Sequence, residues 1–122
     1  MTMESWIDWL PRIGACLTLL IGLVGFFKPR MFLDTVQISL VGPMGTSEAR
    51  AVFGGLNLGL AIAALAMGEP AVFTAIGIGW VMATMARFWS LAVDSIGVKH
   101  FIPGLIVDST LSFLFLAPVL LG

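Results

Sequence analysis

Charge is scarce in this chain. Six basic and seven acidic side chains in 122 residues make 11%, where a soluble domain carries about a quarter. With 59% hydrophobic residues and a mean hydropathy of +1.07, such a chain cannot cover a water-facing surface, so lipid is its expected solvent. A net charge of −1 with no basic patch argues against nucleic acid as a partner. There is no poly-ionic tail, no low-complexity segment and no convincing internal repeat.

Cysteine is almost absent. Cys16 stands alone, which excludes an intrachain disulfide and leaves the redox compartment open. "IGAC" (13–16) has the look of a lipoprotein cleavage box, but the apolar run follows Cys16 instead of preceding it. Cys16 therefore reads as a small apolar wall residue. Histidine is equally rare: His100 and scattered acids lack metal-ligand spacing, so neither a metal nor another cofactor is expected. No Ser–His–Asp or Cys–His arrangement supplies a nucleophile with a base. No catalytic residue is expected, and a lipid-modifying enzyme is a less expected function than the two given below.

What the chain does have is long apolar runs. Four of them, about 11–27, 49–67, 71–93 and 101–121, reach roughly 26, 28, 34 and 32 Å as helices. A hydrocarbon core of about 30 Å needs about 20 residues, so each is a spanning candidate, and a span must satisfy its own backbone as a helix. The predicted fold is all-α: one domain over residues 1–122, an integral membrane four-helix transmembrane bundle. Pro11 is placed for the first turn of the first span. Glu4 and Asp8 precede Arg12, the only side-chain cation near the N-terminus, so the first helix is expected to be retained rather than cleaved.

The connections differ. "GEP" (68–70) is a tight turn that sets the second and third spans antiparallel, and "DSIGVKH" (94–100) is short too. The longest connection carries Met31, Phe32, Leu33, Val36, Ile38 and Leu40, too apolar for free solvent and too short to span. Residues 31–41 are therefore expected to lie at the interface. Thr46 or Ser47 is the expected cap of the second span, with Glu48 at its positive end. Lys28, Arg30, Arg50, Arg87 and Lys99 border the first and third connections, whereas the other side has only Arg12. The positive-inside rule then puts both termini outside, in the periplasm if the membrane is a bacterial inner membrane. Trp6 and Trp9 suit an interfacial belt there.

Polar residues converge on one zone. Arg87 lies about six residues inside the third span and Asp108 about seven inside the fourth, from the same end. At about 1.5 Å per residue the two come to similar depth, roughly 9 Å in. A lone charge at the bilayer centre costs at least about 2.5–3.5 kcal/mol, and pairing is the cheapest relief. An Arg87–Asp108 ion pair follows. Arg50, Gly54 and Asn57 share one helical face, Arg87, Ser90 and Asp94 another, and Asp108 and Ser112 a third, with Lys99 and His100 above. The cluster reads as a structural clamp, as a ligand or proton site, or as side chains snorkelling to headgroups. Asp94 on its own can be a turn cap and His100 a solvated loop residue.

Glycines give a second pattern. Gly55 and Gly59 form a GxxxG pair beside Gly54, and Gly77 and Gly79 add another small face. Small residues let membrane helices approach closely, here first within the chain and second between copies.

"RAVFGGLNLGLAIAAL" (50–65) followed by "ARFWSLAVDSIG" (86–97) resembles a bacterial four-helix membrane family, domain of unknown function 4345. The resemblance implies an Arg before a Gly-Gly opening the second helix, an Arg and an Asp ending the third, and an acid early in the fourth. The matching positions are Arg50, Gly54, Gly55, Arg87, Asp94 and Asp108. Two departures stand out: Asp108 replaces the usual Glu, and "DSIG" replaces a tighter Asp-Gly turn. The layout is also similar, more distantly, to the four-helix scaffold protein of ergosterol biosynthesis. The family implies a fold and a cluster but no reaction. The function expected is a non-enzymatic accessory subunit or scaffold that holds a membrane lipid or lipid-like molecule, with a protein partner or a second copy in the membrane. The alternative is a small-molecule or proton-coupled carrier using Asp108 and Asp94.

Overall fold

Every apolar run becomes a helix. The computed structural model describes residues 3–35, 38–39 and 41–121, and no strand occurs among them. The helices are α1 (Met3–Phe27), α2 (Pro29–Thr35), α3 (Gly42–Ala49), a π-helical segment (Arg50–Leu56), α4 (Asn57–Met67), α5 (Pro70–Val93) and α6 (Val98–Leu121). Four helical stretches are long and apolar enough to cross a membrane: Trp6–Phe27, Gly42–Met67, Pro70–Val93 and Val98–Leu121. They support a multi-pass membrane protein.

Three boundaries correct the expectations. α1 starts eight residues before Pro11, which lies buried inside it and has no N–H to offer the Ile7 carbonyl. The second span starts at Gly42 rather than near 49, so Thr46 and Ser47 are mid-helix and do not cap it. Its N-cap is Val41, in an extended conformation with no side-chain cap bond. Gly42 takes the positive φ of +69° that the entry requires, and Pro43 pre-sets the first turn. α6 starts at Val98, so His100 belongs to a helix and not to a loop. Within the expected interfacial segment, Leu33 on α2 is buried while Met31 and Ile38 are exposed. Val36, Leu40 and the side chain of Phe32 lie outside the described residues.

The chain divides into two compact units. One holds residues 15–67. In it, the α1 glycines meet the π-helical segment and the start of α4: a Cβ on Gly25 would lie 2.7 Å from the Phe53 carbonyl carbon, and one on Gly22 2.7 Å from the Leu58 nitrogen. Gly54 approaches the Phe26 backbone just as tightly. The Arg50 guanidinium reaches the same place, its Nη1 donating to the carbonyl oxygen of Phe26 at the end of α1. That carbonyl is one of four that a helix C-terminus leaves without an intrahelical donor, and a cation there also meets the negative end of the dipole.

The other unit holds residues 1–14 and 68–122. Its framework is the antiparallel hairpin of α5 and α6. Gly77 lets Leu116 and Phe115 press in, where a Cβ would come within 2.7 and 3.0 Å. Phe73 faces Phe115 with centroids 6.4 Å apart, and Phe88 faces Phe101 edge-on at 5.2 Å. Phe101, Asp108, Leu111, Ser112, Phe115 and Ala117 form the buried face of α6. Gly14 from α1 packs on this face, its Cβ position 3.2 Å from Leu114 and Phe115.

Of the predicted packing glycines, Gly54 and Gly77 make close approaches. Gly55, Gly59 and Gly79 do not: Gly55 would meet only the Arg50 carbonyl oxygen at 3.9 Å, and a Cβ on Gly59 or Gly79 would meet nothing within 4 Å among the described residues. Spacing places small residues on a helix but does not say which of two adjacent faces meets a neighbour.

Candidate functional site

The α5–α6 hairpin brings Arg87 and Asp108 together. Arg87 Nε donates to Asp108 Oδ2, an ion pair between adjacent helices. The partners are unequally placed: the Arg87 side chain is 44% exposed and the Asp108 side chain 3%. The carboxylate is thus the group that burial penalises, and the guanidinium is the group that relieves it. No buried side-chain nitrogen or oxygen lacks a partner among the described residues.

Gly104 makes the pair possible. It lies one helical turn before Asp108, and a Cβ there would sit 2.5 Å from Arg87 Cζ and 2.9 Å from Nε. The guanidinium fills the space that a side chain would occupy. Gly104 was not among the predicted site residues, although "PGLIVD" (103–108) places it four residues before the acid, where two positions share a face.

Beside the pair is a cavity of about 190 Å³ lined by Ala86, Arg87, Ser90, Ile96, His100 and Phe101. Arg87 and Ser90, one turn apart on α5, do share it, with His100 contributed by the first turn of α6. No acid lines it. Arginine offers five N–H donors in a planar fork, and only Nε meets the carboxylate here. Arg87 is itself part of the cavity lining, while its Nη1 and Cζ lie against Gly104.

The remaining predicted residues are engaged differently. The Ser112 hydroxyl donates to the Asp108 main-chain oxygen at 2.7 Å, a bond back along its own helix. Asn57 does likewise, its Nδ2 2.9 Å from the Phe53 oxygen, and Arg50 holds Phe26 as described. Asp94 is the exposed C-cap of α5, its N–H donating to the Ser90 oxygen at 2.8 Å. Ser95 follows it with a φ of +55°, a left-handed conformation that glycine adopts more readily. Cys16 is exposed rather than a wall residue. No group of three or more His, Cys, Asp or Glu able to hold a metal ion occurs among the described residues.

No family model matches the chain, and no curated protein or solved structure matches it either.

Proposed function

We propose that this chain is a small multi-pass membrane protein without chemistry of its own, an accessory subunit or scaffold that holds a lipid-like molecule by an anionic headgroup at Arg87. One observation carries this reading: Arg87, paired through Nε with Asp108, also lines a cavity together with Ser90 and His100, and no acid among the described residues lines it. An arginine fork oriented through Nε is suited to bidentate bonding of a phosphate or carboxylate.

The topology belongs to the same proposal. Basic residues cluster at the connections after the first and third spans, which supports a bacterial inner-membrane protein with both termini in the periplasm. Kinship with the family domain of unknown function 4345 is part of it too, resting on Arg50, Gly54, Gly55, Arg87, Asp94 and Asp108. The carrier reading gains no observation of its own, since Asp94 is an exposed helix cap and the Asp108 carboxylate is occupied by Arg87.

Native mass spectrometry of protein purified in mild detergent tests the proposal. Phosphatidylglycerol should remain bound to the wild type and be lost in Arg87→Gln, while Arg87→Lys, which keeps charge without the fork, should retain an intermediate amount. Equal retention by all three proteins would contradict it.

A further inference from the structure

A second arginine stands in a cavity at the other end of the same unit. From Phe73 to Arg87 is fourteen residues of one helix, about 21 Å along its axis, so this place is separate from the Arg87 cavity. The cavity encloses about 280 Å³, and Asp8, Arg12, Phe73, Thr74, Phe115 and Pro118 are among its lining. Arg12 is half-buried. Its Cζ lies 5.4 Å from the Trp9 ring centroid and 5.9 Å from that of Phe73, and its Nη1 donates to the Asp8 main-chain oxygen at 2.9 Å. Two ring faces and a carbonyl thus hold the guanidinium in place.

The cavity also contains the start of α5. Gly68, at φ +60°, and extended Glu69 deliver Pro70 to the first turn, so the positive end of a 24-residue helix points here. Asp8 is exposed, and its carboxylate makes no ion pair with Arg12 although both line the same space. Thr74 directs its hydroxyl to the Pro70 oxygen at 2.8 Å, and among the described residues Asp8 and Arg12 are the charged groups that line the cavity. An anion and a cation in one cavity, unpaired with each other, complement a ligand that carries both charges.

We propose that this cavity binds the headgroup of a zwitterionic phospholipid of the phosphoethanolamine type, its phosphodiester on Arg12 and its ammonium on Asp8. Size limits the occupant: ligand sites run from about 300 to 1,000 Å³, so this one, just below that range, takes a headgroup without its chains. The chains have a path, because Val119, which lines the cavity, is 63% exposed. The site shares with the Arg87 reading only the premise that the helices cross a membrane.

Detergent-purified protein offered equimolar phosphatidylethanolamine and phosphatidylglycerol, followed by native mass spectrometry, tests this. The wild type should retain a phosphatidylethanolamine adduct that Arg12→Gln weakens about tenfold, as expected for one charge-assisted hydrogen bond. Asp8→Asn, at an exposed position where folding is not at risk, should abolish the preference over phosphatidylglycerol at that adduct. Arg87→Gln should leave the phosphatidylethanolamine adduct unchanged, which separates this site from the first. Free glycerophosphoethanolamine identifies the source: lack of displacement supports a membrane lipid, and full displacement at micromolar concentration overturns it. Undiminished phosphatidylethanolamine binding in Arg12→Gln, or a preference that survives Asp8→Asn, overturns the proposal as well.

Discussion

The backbone of Gly104 lies against the guanidinium of Arg87, one turn before the carboxylate that holds it. A charge pair between neighbouring helices needs matching depth and also room for a planar fork between the backbones. Here the room comes from a missing side chain.

Gly104→Ala should therefore disturb the pair. Its Cβ would sit 2.5 Å from Arg87 Cζ, so the guanidinium must move or the helices must part. The expected loss is about 1–3 kcal/mol of stability in detergent. Gly59→Ala and Gly79→Ala, where a Cβ meets nothing within 4 Å, should be neutral or stabilise by up to about 1 kcal/mol through helix propensity. Equal effects at all three positions in a thermal denaturation series would refute the assignment.

Gly54→Ala should likewise cost far more than Gly55→Ala, because Gly54 faces the Phe26 backbone whereas a Cβ on Gly55 would meet only the Arg50 carbonyl oxygen, at 3.9 Å, among the described residues. Unfolding in a denaturing detergent titration reads the difference.

Arg50→Met removes the donor that satisfies the Phe26 carbonyl. Because Arg50 is exposed, the loss should be about 0.5–1.5 kcal/mol and local. Hydrogen exchange should quicken in the last turn of α1 and stay unchanged in α5 and α6.

Ser95→Gly should stabilise the protein. Relief of a φ of +55° is worth about 1 kcal/mol, partly offset by the greater freedom of glycine in the unfolded chain. A rise in melting temperature checks it, and a fall would show that the Ser95 side chain contributes something the backbone strain conceals.

The four spans were legible because apolar runs of some twenty residues have few other destinations. Their starts were less so. Pro11 fits a first turn as well as a helix interior, and the preceding "MESWIDWL" gave no signal strong enough to decide. Likewise Thr46 and Ser47 look like caps until Gly42 and Pro43 are seen to open the helix earlier. The π-helical segment at 50–56 was invisible to 3.6-residue periodicity: its i→i+5 bonds shift the phase of every residue after Arg50. Arg50 and Gly54 still share a neighbour in Phe26, whereas Asn57 turns to its own helix. Arg87 and Asp108 were legible because burial cost and matching depth leave little freedom. Gly104 was missed because a glycine in a membrane helix carries no mark of what presses against it.

The most direct measurement is a double-mutant cycle on Arg87→Leu and Asp108→Leu, read as unfolding free energy in one detergent. Each single variant should be destabilised, and the double variant less so than their sum, with a coupling of about 1–3 kcal/mol at the lower end because Arg87 is 44% exposed. The exchanged protein, carrying Arg87→Asp and Asp108→Arg, should recover part of the loss. Strictly additive losses with no recovery on exchange would show that the two side chains do not sustain one another, and the proposed site would lose its foundation.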